Sequence, residues 1–170
     1  MTEKLEYEVI DNFLDKEYFD TIKNTLTSLD MNWFYRDNMT TDDEHGMCYF
    51  THNFFLKNVI YSPYFNLLEP FLAKLNISAL IEVRSNMTIS KKDTYESSWH
   101  VDNPDKNSKT VILYLTTCNA KTLMNVEKEI IEIDSVENRI LIFDTKISHK
   151  MKSATDAKRR IIINLNYIQK

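Results

Sequence analysis

The sequence contains few of the residues that usually form tight turns and covalent cross-links. Its 170 residues include one glycine, three prolines and two cysteines. Cys48 and Cys118 are far apart and form no CxxC pair, so we expect two buried, reduced thiols. Because Gly46 is the single glycine, the other turns must use Asn, Asp and Ser, which tolerate left-handed backbone less well.

Long apolar runs are also missing. No stretch approaches the length that crosses a bilayer, and residues 1–6 lack the apolar run of a signal peptide. The formal net charge is −4, which disfavours duplex nucleic acid as a partner. We therefore expect a cytoplasmic protein with no membrane partner. Little glycine beside abundant Lys, Asn and Ile is typical of an AT-rich genome, such as a viral one.

The residues that are present indicate an ordered globular domain. Hydrophobic residues make up 43% and aromatic residues 12% of the chain. We see no linker or repeat and predict a single domain over 1–170, with a helical support and substrate-loop region in 1–80 and a β core in 81–170. Asp15 should cap a helix that runs to about Leu29. A second helix should run from Pro63 to about Leu75, kinked or divided at Pro70.

Strand patterns dominate the remainder. Alternating or apolar segments predict strands at 5–10, 47–57, 77–89, 110–115, 138–144 and 160–167. Helices near the N-terminus followed by closely spaced strands predict a mainly β fold. We interpret it as a double-stranded β-helix, a jelly roll of the cupin-like kind, buttressed by two or more α-helices.

Three residues of the β core have the chemistry of a mononuclear metal site. His100 and Asp102 are two positions apart, so on an extended strand their side chains leave the same face. His149 would be the third ligand. Two imidazoles and one carboxylate leave adjacent coordination positions open, a ligand set that suits Fe(II) enzymes which hold a co-substrate and dioxygen on one ion.

The last strand predicts a cationic group inside the barrel. Its alternation places Ile161, Ile163, Leu165 and Tyr167 on the face beneath the helices. Arg160 falls on the opposite, interior face and Arg159 outside. A buried guanidinium needs a carboxylate partner and binds one bidentately. A dicarboxylate that chelates the metal through its other end would supply that partner.

These motifs together resemble the 2-oxoglutarate and Fe(II)-dependent dioxygenases, most nearly their prolyl-4-hydroxylase-like branch. Residues 100–104, His-Val-Asp-Asn-Pro, are similar to the form in prolyl hydroxylase domains. Tyr114-Leu115 falls at a matching distance, and 138–144 resembles the family's penultimate strand. The resemblance covers 83–167. It implies that His100, Asp102 and His149 bind iron, and that Arg160, with the hydroxyl of Tyr114, binds the distal carboxylate of 2-oxoglutarate.

The protein departs from that family where substrate shape is recognised. Many relatives have Tyr-x-x-Gly before the His-x-Asp motif, where this sequence has Thr-Ile-Ser-Lys at 88–91. A Gly-Gly-x-Thr stretch is replaced by Asn-Ala-Lys-Thr at 119–122, and an aromatic near the end of the last strand is replaced by Asn166. Substrate identity is therefore not carried over from the family.

Each candidate ligand also has a purely structural interpretation. His100 and Asp102 could be a surface pair before Pro104, and His149 could be a capping histidine in a polar loop. Arg160 could continue a solvated basic run, in which case Arg159 would be the alternative ligand for the carboxylate.

The roles of the remaining candidate residues are less determined by the sequence. Tyr114 could be a core tyrosine with a satisfied hydroxyl. Asn86 could contact co-substrate or substrate, or could satisfy only local backbone. We interpret His45 as a solvated loop residue. His52 shares a face with Phe50 and Phe54, which favours a core or cavity-lining role over metal ligation.

The function implied by the resemblance is hydroxylation of a C–H bond with Fe(II), 2-oxoglutarate and O2, releasing succinate and CO2. A peptidyl, prolyl-type substrate is the first choice, on family analogy alone. A nucleobase or a small metabolite is the alternative substrate. Two other classes stay open, a jelly-roll binding or structural module without turnover and a metal-binding cupin that uses no 2-oxoglutarate.

The aromatic segment Trp33–Arg36 and the acidic loop at 41–44 should fold over the barrel mouth. The sequence does not indicate an oligomeric state.

Overall fold

The computed structural model describes residues 5–38, 47–102 and 107–170, which form two antiparallel sheets and a small helical layer. His45, Gly46, Asn103, Pro104 and the acidic loop at 41–44 lie outside the described residues. The strands are β1 Tyr7–Ile10, β2 Phe34–Arg36, β3 Tyr49–Leu56, β4 Val59–Ile60, β5 Ile77–Ile89, β6 Ser108–Tyr114, β7 Cys118–Val126, β8 Glu129–Ser135, β9 Ile140–Asp144, β10 Ser148–Lys152 and β11 Arg159–Gln169. The helical elements are α1 Lys16–Thr27, a 3₁₀ turn Phe65–Leu68 and α2 Glu69–Ala73.

The larger sheet has the order β1-β9-β6-β11-β5-β3-β2, with β4 paired to β3. The smaller sheet has the order β10-β7-β8. Side chains from both sheets form one cluster, in which Ile112 and Ile162 of the larger sheet share a core with Met124 and Ile133 of the smaller one. Two antiparallel sheets that pack face to face confirm the predicted jelly roll.

Strand β11 lies at the centre of the larger sheet and separates an apolar layer from a polar interior. It pairs with β5 along most of its length and with β6 on its other side. Ile161, Ile163 and Leu165 are almost fully buried and belong to the core cluster that also contains residues of α1. The predicted alternation of this strand is confirmed.

Helix α1 begins where the sequence predicts. The side chain of Asp15 accepts hydrogen bonds from the main-chain N–H groups of Glu17 and Tyr18, which satisfies donors that a helix start leaves free. Ile22 and Leu26 are fully buried against the larger sheet. The helix ends at Thr27, two residues before the predicted end.

The second predicted helix, 63–75, is divided as expected near Pro70 but is shorter than predicted. Residues Phe65–Leu68 form a 3₁₀ turn, and α2 starts only at Glu69. Pro70 lies in the first positions of α2, where its missing N–H has no intrahelical acceptor to lose. The division falls one residue before Pro70, and the α-helix covers only Glu69–Ala73.

Several turns adopt left-handed backbone without glycine. Two hairpins carry consecutive residues with positive φ, Lys57-Asn58 between β3 and β4 (51° and 61°) and Glu127-Lys128 between β7 and β8 (51° and 74°). Such pairs form the primed turns that match strand twist and normally prefer Asn-Gly. The expectation that Asn, Asp and Ser would fill these positions is thus only partly right, because lysine and glutamate do so as well.

The remaining general predictions have mixed outcomes. Cys48 and Cys118 are free, as expected, but only half-buried. Segment 34–36 is an exposed strand at the edge of the larger sheet, paired with β3. None of the described helices is long and apolar enough to cross a membrane. The compartment and the single-domain division stay predictions.

Candidate metal and 2-oxoglutarate site

A two-residue bridge joins the segments that carry the two histidines. The main-chain N–H of His100 donates to the carbonyl of His149 at 3.0 Å, and the N–H of His149 donates back at 2.9 Å. Because directly opposed residues share a face of the ladder, the two imidazoles lie together, with ring centroids 4.4 Å apart. His100 belongs to this isolated bridge rather than to a regular strand, so the predicted extended strand through His100 and Asp102 is only partly right.

Asp102 completes a three-residue group. Its Oδ1 lies 3.8 Å from Nε2 of His100 and 3.8 Å from Nε2 of His149. One potential ligand atom from each residue falls within 4.8 Å of the others, and no second group of this kind occurs among the described residues. Ligands about 2.1 Å from one ion would be about 3 Å apart at adjacent positions, so small side-chain rotations suffice to close the group on a cation.

Hydrogen bonds to the main chain orient both imidazoles. Nδ1 of His100 lies 3.2 Å from the carbonyl of Ser98, and Nδ1 of His149 lies 3.1 Å from the carbonyl of Ile147. A carbonyl only accepts, so each Nδ1 carries the proton and each Nε2 presents a lone pair towards Asp102. Partners of this kind fix the tautomer and ring orientation of histidines that bind metals.

The electrostatics of the group favour the protonation states that metal ligation requires. Burial lowers the pKa of His149, outweighing the attraction of Asp102, and so favours the neutral imidazole. Burial acts to raise the pKa of Asp102, but interactions with Arg84 and with the protonated forms of His149 and His100 outweigh it and hold the pKa of Asp102 below its usual range. Asp102 also accepts a hydrogen bond from the hydroxyl of Thr110 at 3.1 Å on its Oδ2. A neutral imidazole beside an ionised carboxylate can bind a cation without first losing a proton.

Arg160 lies deeper in the same barrel, as its predicted interior position requires. Arg160 is 4% exposed, whereas Arg159 is half-buried on the other face of the strand. Its guanidinium donates to the hydroxyls of Thr122 at 3.2 Å and Ser135 at 3.4 Å. No carboxylate within the described part of the protein forms an ion pair with it, and burial lowers its pKa. The charge is therefore held in place by neutral groups and lacks an anionic partner among those residues.

A cavity of about 60 Å³ connects the metal-binding group to Arg160. His100, His149 and Arg160 contribute to its wall, and Ile112 and Ile162 contribute apolar surface. The other residues that line it are Tyr49, Arg84, Asn86, Thr122, Lys150, Met151 and Asn164. Lys150 is paired with Glu96 at 2.5 Å and lies over the ring of Trp99, so its charge is already partnered.

Tyr114 and Asn86 lie near the site in ways the sequence left open. The hydroxyl of Tyr114 donates to Thr122 at 2.8 Å, and its ring packs 5.4 Å from the guanidinium of Arg160. This arrangement resembles the satisfied core tyrosine that was the alternative interpretation. Asn86 lines the cavity, and its Oδ1 lies within 3.3 Å of the hydroxyl of Thr51. Their contact with a co-substrate stays a prediction.

Sequence reasoning assigned no role to Thr110, Thr122 or Ser135. Thr122 and Ser135 belong to the smaller sheet, and their meeting with Arg160 depends on how the two sheets face each other, which no local pattern encodes. Period-two alternation puts Arg84 on the same face of β5 as Asn86, and Asn164 on the same face of β11 as Arg160. That signal could have identified both as cavity residues.

His52 is a structural histidine, as the sequence suggested. It is 6% exposed, and its two ring nitrogens lie 2.7 Å from the carbonyl of Asn32 and 2.7 Å from the hydroxyl of Ser62. It also packs against the ring of Phe54. These contacts tie the segment before β2 to the segment after β4 and leave the imidazole no free ring nitrogen.

Comparison with solved structures places this fold among known ones. A prolyl-4-hydroxylase from Pseudomonas putida matches with a TM-score of 0.71 and 10% identity, over 98% of this protein and 93% of that one. The protein has the fold of that hydroxylase. A Trichoplax adhaerens prolyl hydroxylase in complex with a hypoxia inducible factor peptide fragment matches with a TM-score of 0.63 and 15% identity, over 96% and 83%.

A third similar structure is HygX from Streptomyces hygroscopicus with nickel, 2-oxoglutarate and hygromycin B bound. It matches with a TM-score of 0.64 and 9% identity, over 98% of this protein and 84% of that one. No family model and no curated protein matches the sequence. At these identities the shared feature is the jelly-roll fold, so the chemistry of this protein must be argued from its own residues.

Proposed function

We propose that this protein is an Fe(II)- and 2-oxoglutarate-dependent dioxygenase that hydroxylates a C–H bond. The observation that carries the proposal is the conjunction of two features in one cavity, a convergent His100–Asp102–His149 group and the guanidinium of Arg160, which neutral hydroxyls hold in place. Fold similarity supports it, because solved structures with this fold include a prolyl-4-hydroxylase and HygX with nickel and 2-oxoglutarate bound.

The donor set fits Fe(II). Two neutral imidazole nitrogens and one carboxylate suit that ion and leave coordination positions for other ligands. When bound, iron and 2-oxoglutarate together would supply the oxidising power for hydroxylation, with succinate and CO2 as the other products. Because Asp102 would occupy a protein ligand position, hydroxylation is favoured over halogenation, which needs that position for a halide.

Arg160 would bind the distal carboxylate of 2-oxoglutarate. A planar guanidinium binds a carboxylate through two parallel N–H donors, and the hydroxyls of Thr122 and Ser135 hold it at the deep end of the cavity. Ile112 and Ile162 line the path between Arg160 and the metal-binding group, and their apolar surface excludes water from the co-substrate.

A peptide is the substrate class we favour. One structure with the same fold is a prolyl hydroxylase in complex with a peptide fragment. In the present protein the exposed rings of Phe34 and Tyr35 lie on the edge strand beside β3, whose Tyr49 lines the cavity. Exposed aromatic side chains next to a cavity mouth suit the flanking residues of a peptide.

The decisive experiment is optical and anaerobic. Purified protein mixed with Fe(II) and 2-oxoglutarate without oxygen should develop a weak visible charge-transfer band, and His149→Ala should remove it. Lys92→Ala, which changes an exposed loop residue, is the matched control and should keep the band. An iron-loaded protein without the band would favour a binding module or a cupin that uses no 2-oxoglutarate. A band that Arg160→Gln leaves unchanged at low 2-oxoglutarate concentration would mean that Arg160 does not bind the co-substrate.

Substrate class requires a separate screen. Succinate release in air should rise above the uncoupled level with peptides from a proline-containing panel. If nucleotides or small metabolites stimulated release and peptides did not, the dioxygenase assignment would hold and the peptide assignment would be wrong.

A further inference from the structure

Two residues that line the cavity each have a buried polar atom without a hydrogen-bond partner. Within the described segments, the buried side-chain atoms that lack a hydrogen-bond partner are Arg84 Nε, Ser90 Oγ, Tyr95 Oη and Asn164 Oδ1. Of these residues, Arg84 and Asn164 line the cavity, and neither has an assigned role in iron or 2-oxoglutarate binding. Asn164 is 5% exposed. Leaving such groups unsatisfied costs folding free energy, so their retention calls for a ligand.

The two residues are direct neighbours across strands. Arg84 on β5 is paired in register with Asn164 on β11, and side chains in such pairs have Cβ atoms about 4.5–5.5 Å apart. Arg84 has an unpartnered N–H donor, and Asn164 has an unpartnered carbonyl acceptor. A ligand group that offers an acceptor and a donor a few ångströms apart would satisfy both at once.

The charge of Arg84 is already balanced on its far side. Its Nη1 lies 3.2 Å from Oε1 of Glu82, which precedes it by two positions on the same face of β5. That contact fixes the orientation of the guanidinium. Since a carboxylate partner is present, the unpaired Nε is suited to a neutral acceptor more than to an additional anion, in contrast to the guanidinium of Arg160.

The pair lies beside the metal-binding group. Both residues line the same cavity as His100 and His149 of that group. Asn164 also pairs in register with Ile112, part of the apolar surface of the cavity. A substrate group held by Arg84 and Asn164 would thus lie next to the predicted centre of reaction.

We propose that Arg84 and Asn164 form a donor–acceptor subsite that binds the backbone carbonyl and N–H of one extended substrate residue. In an extended peptide, the N–H and the carbonyl of a residue point to the same side, as they do in a closely spaced antiparallel pair. The inference rests on the proposed dioxygenase function and specifies the substrate as a peptide.

The first test needs no ligand. Asn164→Leu removes the unsatisfied acceptor in a similar volume, so the melting temperature should rise by about 2–4 °C. An asparagine whose role is only structural would make bonds in the folded protein, and its replacement would lower the melting temperature. A decrease would therefore overturn the subsite.

The second test measures recognition directly. The probes are N-acetyl-L-alanine N-methylamide, its ester analogue O-acetyl-L-lactic acid N-methylamide, N-acetyl-L-alanine and uridine, titrated by protein NMR shifts in the cavity. Wild-type protein should bind the amide about 3- to 10-fold more tightly than the ester, which lacks the N–H. Asn164→Leu should bind the two equally, Arg84→Met should weaken both, and Lys92→Ala should behave as wild type.

Each alternative result is informative. Equal binding of amide and ester by wild type, or binding of neither, would overturn the proposal. Tighter binding of N-acetyl-L-alanine would indicate an anion site, and tighter binding of uridine a nucleobase site. Titrations with and without Zn(II) separate this inference from the proposed function. An amide preference in a protein that binds no metal would reject the dioxygenase alone, and metal binding without the preference would reject the subsite alone.

Discussion

The two faces of strand β11 differ in whether their side chains find partners within the protein. On the outer face, Ile163 and Leu165 are fully buried and pack in the core cluster shared with α1. On the inner face, Arg160 and Asn164 are nearly as buried, yet the first lacks a carboxylate within the described residues and the second has an unpartnered oxygen. The apolar side chains of the outer face pack against other parts of the protein. The polar groups of the inner face have the arrangement expected of a ligand-binding site.

This contrast separates stability from function along a single strand. Substitutions on the outer face should unfold the protein, whereas those on the inner face should change ligand binding with little loss of stability, or with a gain. Four variants test this separation of stability from ligand binding, on β11 and elsewhere in the protein. They follow from the largest expected change in free energy to the smallest.

Ile163→Ala should cause the largest loss. The side chain is fully buried, so truncation leaves a cavity beneath the helical layer and should lower the free energy of unfolding by about 2–5 kcal/mol. Ile162→Ala, its inner-face neighbour at the cavity wall, should cost less because that site already borders open space. Urea denaturation of both variants measures the difference. Equal losses would contradict the contrast between the faces.

Asn138→Ala should also destabilise the outer layer. Asn138 accepts from the N–H of Leu14 at 2.9 Å and donates to its carbonyl at 2.8 Å, which anchors the start of α1 to the segment before β9. Losing both bonds in a buried site should lower the free energy of unfolding by about 2 kcal/mol. Asn138→Asp keeps the acceptor alone and should fall between wild type and Asn138→Ala in the same denaturation experiment.

Thr110→Val should weaken metal binding and leave folding nearly intact. The hydroxyl of Thr110 holds Oδ2 of Asp102, and removing such a supporting contact typically costs about 10- to 100-fold in metal affinity. Calorimetric titration with Zn(II) should show a loss of about tenfold. Thr110→Ser keeps the hydroxyl and should bind as wild type does. An unchanged affinity in Thr110→Val would mean that Asp102 is not a ligand.

Lys128→Gly should stabilise the protein slightly. Lys128 has φ of 74° in the turn between β7 and β8, a left-handed conformation that destabilises a residue other than glycine by about 1–2 kcal/mol. Glycine should recover up to about 1 kcal/mol in thermal unfolding, without changing ligand binding. The matched Lys92→Gly, in a loop without positive φ, should be neutral or destabilising.

The sequence predicts what depends on local periodicity and little of what depends on how sheets face each other. Period-two alternation places Arg160 inside and Ile161 outside, and Asp15 marks the start of α1. The meeting of Arg160 with Thr122 and Ser135 follows from the packing of two sheets, which local patterns do not encode. The division of the second helix depends on Pro70, whose presence is visible but whose effect on the preceding residues depends on packing.

The most direct test of the account is 2-oxoglutarate binding by the metal-loaded protein, measured calorimetrically with Zn(II) for wild type, Arg160→Gln and Arg159→Gln. The two variants remove the same charge from adjacent residues on opposite faces of β11. The account predicts one site per molecule, at least about tenfold weaker binding in Arg160→Gln and nearly unchanged binding in Arg159→Gln. Equal effects of the two variants, or no binding by the wild type, would contradict it.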